Sequence, residues 1–206
     1  MSKRKAPLVI LLSALFLLGG SGASGQSRFE IARPGLSLSY PKDHGAHPAY
    51  RTEWWYFTGN VTSKDQDEYG YELTFFRRGV ENPKGLENPS RWTVRDLYLA
   101  HFALTDIQNQ RFHYEDKISR EAIGKAGAKQ ERLEVWIDEW RAVQKGEAIH
   151  LQAESSPEDS DGDLFDAPRN KKIRWKIDLT LTPAKPLVLQ GKEGLSVKGP
   201  DPGQAS

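Results

Sequence analysis

Apolar side chains recur along this chain at every second position. In Tyr69-Gly-Tyr71-Glu-Leu73-Thr-Phe75-Phe-Arg77 the odd positions are apolar or aromatic. Ile173, Trp175, Ile177, Leu179 and Leu181 alternate with Arg174, Lys176, Asp178 and Thr180. A period of two puts the first set on one face of a strand and the second on the other. Leu97 to Leu104 is apolar on both parities, the pattern of a strand covered on both faces. Leu133, Val135 and Ile137, then Ile149, Leu151 and Ala153, predict shorter strands. Turn signals at Lys64–Asp67, Asn82-Pro83 and Lys145-Gly146 separate these runs. Arg120 to Gly127 alone hints at a helix or an irregular loop, and its glycines keep it short. No internal repeat interrupts the pattern. The expectation is an all-β chain, built as an antiparallel barrel or sandwich.

The first 25 residues stand apart from this pattern. A basic head (Lys3, Arg4, Lys5) precedes the apolar run Leu8 to Leu18, and small residues follow to Gly25. Ser21 and Ala23 fit the small positions before a cleavage site, so residues 1–25 read as a secretory signal peptide. The other reading is an uncleaved anchor, but the run falls short of the roughly 20 residues a spanning helix needs. The expected location is secreted or periplasmic, with no integral span once the signal is removed. The chain has no cysteine, which excludes disulfides and a cysteine-linked lipid.

The remaining roughly 180 residues make one ordinary domain, expected over 30–190. Lys and Arg number 29 against 28 Asp and Glu, for a net charge of +1, with both signs interspersed. That balance argues against a nucleic-acid partner or a polybasic membrane patch. Two long loops are expected, at 81–90 with two prolines and at 154–170 with many acids. Leu164 and Phe165 in the second suit a small apolar flap. Residues 191–206 read as a linker-like tail, as though a second unit should follow.

The stretch His47 to Val61 (HPAYRTEWWYFTGNV) is too aromatic for a surface loop. Parity sets Glu53, Trp55 and Phe57 on one face, and Trp54, Tyr56 and Thr58 on the other. Glu72 shares a face with Thr74 and Phe76, and His101 with Leu97, Leu99 and Ala103. If the three strands are neighbours, Glu53, Glu72 and His101 can converge in one aromatic-lined interior, a setting suited to proton transfer. The bland reading pairs the two glutamates with Arg51, Arg77 or Arg78 and leaves the tryptophans as core. Asp43-His44-Gly45-Ala46-His47-Pro48 offers three potential metal ligands, but on a Gly/Pro loop without further Cys or His. A loop whose side chains bond backbone is favoured, and no metal is expected. No nucleophile elbow, phosphate loop or dinucleotide fingerprint occurs.

The segments YPKDHGAHPAYRTEWWYFTGNV, YGYELTFFRRGV, AHFALTDIQNQRFHYEDKISR and VWIDEWRA, in that order, resemble the AttH/CrtC family of lipocalin-like secreted proteins. That family is labelled predicted secreted hydrolase or carotenoid 1,2-hydratase. The resemblance implies two tandem lipocalin-like barrels, of which this chain holds the first, with a separate C-terminal barrel as partner. It implies cofactor-independent hydration of a small apolar unsaturated ligand, isoprenoid or lipid-like. Glu53 or Glu72 would then be the acid and His101 the base or water-orienting group. Trp54, Trp55, Tyr56, Arg77, His44 and His47 would contact the substrate. The competing expectation is a non-enzymatic carrier of a hydrophobic ligand, or an inactive remnant.

Overall fold

The computed structural model describes residues 29–35, 37–80, 90, 94–121, 123–156, 174–197 and 199. The expected signal peptide, most of both long loops with Leu164 and Phe165, and the end of the tail lie outside the described residues. Among the described residues nine strands form two antiparallel sheets, ordered β1-β2-β3-β4 and β5-β6-β7-β8-β9. The first sheet comprises β1 (Thr52–Thr62), β2 (Glu68–Gly79), β3 (Asp96–Asp106) and β4 (Arg111–Arg120). The second comprises β5 (Ala126–Ala128), β6 (Glu134–Ile137), β7 (Trp140–Lys145), β8 (Ala148–Glu154) and β9 (Lys176–Leu181). The expected all-β class holds, as two layers with no ladder between them among the described residues. Of Arg120 to Gly127, the described residues are the end of β4, a turn at 123–124 and the start of β5, which is the irregular-loop alternative and not the helix. No helix of the described residues is long and apolar enough to cross a membrane.

Period-two alternation becomes two chemically different surfaces. Leu73 and Phe75 of β2 and Tyr98, Ala100 and Phe102 of β3 turn inward and are buried. They meet Val135, Ile137, Trp140, Ala142 and Leu151 of the second sheet, with Trp175 and Ile177 closing the cluster. Phe102 is the pivot: its ring lies 5.6 Å from Trp140, edge to face, and 4.2 Å from Trp175. The Trp140 indole N–H donates to the Glu154 carbonyl at 2.8 Å, so its one polar atom is satisfied inside.

The turns carry their own chemistry. Between β1 and β2 the Ser63 hydroxyl accepts from the amides of Asp65 and Asp67, at 3.2 and 3.1 Å. Between β3 and β4 the Asp106 carboxylate accepts from the Asn109 amide at 3.0 Å. Gln110 closes that turn in the left-handed region at φ 53°.

One loop ties the layers together. The 3-10 turn Lys42–His44 lies against the segment between β5 and β6, where the Ala46 amide donates to the Lys129 carbonyl at 2.7 Å. Gly45 makes this approach possible, since a Cβ there would stand 2.4 Å from the Gln130 carbonyl oxygen. The expectation that β3 is covered on both faces is corrected. Tyr98, Ala100 and Phe102 are buried, but Leu97, Leu99 and Ala103 are half-buried and His101 is exposed.

Candidate functional site

The register of the first sheet decides which candidate residues meet. Glu53 stands opposite Arg77, and Thr58 opposite Glu72. Thr74 stands opposite His101, and His101 opposite Asp116. Side chains of directly paired residues share a face. Glu53, Trp55 and Phe57 therefore point toward the second sheet with Leu73, Phe75 and Arg77. Trp54, Tyr56 and Thr58 point outward with Glu72, Thr74, Phe76 and His101. The expected convergence of Glu53 with Glu72 and His101 is thus corrected, because a four-stranded sheet separates the first from the other two.

The outer face is organised in rows across the strands. One row is wholly apolar: Trp54, Phe76, Leu99 and Ile118. The next is Tyr56, Thr74, His101 and Asp116, followed by Thr58, Glu72, Ala103 and Tyr114. Trp54 is 47% exposed, Tyr56 57% and Ile118 70%, unusually open for side chains of this size. The Thr74 hydroxyl donates to Glu72 Oε1 at 3.1 Å, and the Phe76 and His101 rings lie 5.2 Å apart. Glu72, His101, Phe112, Tyr114 and Asp116 line an open hollow of about 340 Å³. Four of the proposed site residues (Glu72, His101, Trp54, Tyr56) thus belong to one surface. Sequence reasoning missed Phe112, Tyr114, Asp116 and Ile118, whose signal was the every-second-residue set in RFHYEDKISR.

The other candidates form a separate polar network at one end of the sandwich. Arg77 is 1% exposed, and its Nε donates to Glu53 Oε2 at 2.7 Å. Its Nη1 donates to Asp96 Oδ1 at 2.7 Å, and its Nη2 to the carbonyls of His47 and Tyr50. Burial alone would lower the pKa of Arg77, but Glu53 and Asp96 turn the net shift upward. His47 Nδ1 lies 2.9 Å from Glu53 Oε1, and its Nε2 lies 3.3 Å from Asp43 Oδ1. Trp55 donates its indole N–H to the His44 carbonyl at 3.1 Å. Burial pushes the His44 imidazole below its ordinary value, against the opposing pull of Asp43. Trp55, Arg77 and Glu53 are therefore engaged in holding the end of the fold, and they face away from the open rows. Asp96 escaped notice in the sequence because an acid at the head of an apolar run reads equally well as a strand start.

Glu121 extends this network, and burial followed by the charge of Asp96 raises its pKa. Asp43 shifts the other way, held below the ordinary carboxylate value of 3.8 by the Ser39 amide and then by His47. A depressed folded pKa contributes stability that is present above the unfolded value and lost as pH falls through the folded one. Asp43→Asn is expected to flatten the acid limb of the stability curve below about pH 4. Urea midpoints measured across acid pH check this, and an acid limb equal to wild type would count against it.

A second hollow, of about 480 Å³, lies between β4 and the second sheet. Four of its charges pair within the protein, Lys117 with Glu139 and Arg174 with Glu154, and Asp138 lines it as well. Among the described residues no group of His, Asp and Glu is arranged to hold a metal ion.

Residues 31–206 match the family model described as AttH-like. The chain is also similar to a crystal structure from Nitrosomonas europaea of a protein assigned to AttH, with 28% identity and a TM-score of 0.67. That match covers 86% of this chain and 47% of the other, so the chain spans about half the length of that solved relative. No curated protein matches the chain.

Proposed function

The chain belongs to the AttH-like family, and from that premise we propose that the outer face of β1–β4 binds an elongated apolar, unsaturated molecule and promotes its hydration outside the cytoplasm. The observation that carries this reading is the apolar row Trp54–Phe76–Leu99–Ile118 lying directly beside a row with His101 and Asp116, with the Glu72 row next beyond that one. At ordinary strand rise the Glu72 row stands about 14 Å from the apolar row, so an elongated hydrocarbon seated on the apolar row reaches Glu72 by running along the strands across the His101 row.

In the proposed reaction the Glu72 carboxyl gives a proton to one carbon of a double bond, leaving a tertiary cation on the other. The faces of Tyr56 in the adjoining row and of Tyr114, which lines the hollow with Glu72, stabilise that cation through their quadrupoles. Water then attacks, and His101 takes the proton the water loses. Return of that proton to Glu72 through solvent completes the addition of one water, with no redox change and no cofactor in the balance. The openness of the hollow favours one other reading, a carrier that binds the same molecule without turnover.

The test uses an acyclic carotene delivered in detergent. Tryptophan quenching reads binding, and mass spectrometry reads the gain of one water. Glu72→Gln is expected to keep binding and lose about a hundredfold in turnover, within the range of general acid–base catalysis. Trp54→Ala should weaken binding. Binding without turnover in the wild type would establish the carrier, and binding indifferent to Trp54→Ala would remove the face from consideration.

A further inference from the structure

The two sheets have four edge strands, and three are protected in ordinary ways. β5 has only three residues. β9 places Lys176 and Asp178 within its six. β4 carries Arg111, Glu115, Asp116, Lys117 and Arg120, and Lys117 is tied to Glu139 of the second sheet. β1 is different: TEWWYFTGNVT runs for 11 residues with no proline, and its register with β2 is unbroken from Thr52 to Thr62. Its one charged residue, Glu53, is turned inward onto Arg77.

The ladder shows which backbone groups are left over. The Gly79 amide bonds the Arg51 carbonyl and the Ser63 amide bonds the Asp67 carbonyl, so the odd residues of β1 are spent on β2. The even residues, Thr52 to Thr62, direct N–H and C=O outward. Among the described residues no backbone partner meets them.

We propose that this edge pairs antiparallel with β1 of a second copy of the chain, making one continuous eight-stranded sheet. A two-fold axis beside Tyr56 sets Trp54 opposite Thr58 and Thr52 opposite Asn60, and Glu53 falls opposite Gly59. No like charges oppose one another, so the strand is self-complementary. The pairing also brings Tyr56 of each copy together and carries the two outer faces into one surface, to which each copy contributes Trp54 and Tyr56. It does not rest on the hydration reading, since it follows from backbone and charge alone.

Sedimentation of the full chain over about 1–100 μM, without ligand, should show mass rising from monomer to dimer. Over the same range, hydrogen exchange at the Trp54, Tyr56 and Thr58 amides should slow on the order of tenfold, while the Glu53, Trp55 and Phe57 amides stay protected throughout. Tyr56→Lys should shift dimerisation to higher concentration by on the order of tenfold or more, with core amides still protected. A mass that stays monomeric overturns the proposal. So does protection of the even amides that is independent of concentration, which would mean the chain covers its own edge. A Tyr56→Lys protein that dimerises as tightly as wild type overturns it as well.

Discussion

Arg77→Met is expected to destabilise the protein by about 3–5 kcal/mol, the usual cost of removing one partner from a buried ion pair. The side chain is enclosed and satisfies four acceptors: Glu53, Asp96 and the carbonyls of His47 and Tyr50. Methionine fills much of the volume but leaves two carboxylates facing each other across the vacated guanidinium position. Against a typical total stability of about 5–15 kcal/mol, that loss leaves a substantial unfolded fraction at growth temperature. Urea unfolding measures it directly. Adding Glu53→Gln to Arg77→Met should recover part of the loss, because it removes one of the stranded charges. A single variant within about 1 kcal/mol of wild type would show the network to be solvated, and would reopen Glu53 as a group with some other task.

Phe102→Ala should cost a similar amount, about 3–5 kcal/mol, for a different reason. Its ring fills the space between Trp140, at the start of the central strand β7, and Trp175, just before the edge strand β9. Neither indole can close the gap freely. Trp140 is held by its bond to the Glu154 carbonyl, and Trp175 by its backbone amide donating to the Ser155 hydroxyl at 3.1 Å. The cavity therefore persists, and near-ultraviolet circular dichroism of the tryptophans should weaken along with the urea midpoint. A loss below about 1 kcal/mol would mean that the two sheets can settle onto each other, contrary to the density expected of such a core.

These two residues also show how far the sequence could be read. The strand at Glu68–Gly79 and the inward set Leu73, Phe75 were legible because alternation is a property of one strand. Within β1 the division of Glu53 and Trp55 from Trp54 and Tyr56 was legible for the same reason. The meeting of strands was not. Pairing Glu53 with Arg77 places odd residues of β1 against odd residues of β2, and that choice sends Glu72 to the far side. Register depends on turn length and on the other sheet, neither of which a single strand's pattern contains. The same limit explains β3. Leu97 and Leu99 look like core residues by composition, yet both lie on the outer face, Leu99 in the open apolar row and Leu97 between Arg78 and Arg120. The Asp43–His47 loop was legible as polar and glycine-bearing, but its seat against Gln130 is a long-range contact that no local signal announces.

The division of β1 between two surfaces has a consequence for how the protein can change over generations. Selection for a stable fold acts through Glu53, Trp55 and Phe57, and selection on whatever the outer face meets acts through Trp54, Tyr56 and Thr58. The two pressures fall on alternate codons of one short stretch, so substitutions can answer either without disturbing the other. Loss or gain of a single codon has no such freedom. It would slide every later residue by one place, turning Trp54 or Tyr56 toward the interior and an inward residue toward solvent. Across this strand the lineage can drift by replacement, while its length stays pinned.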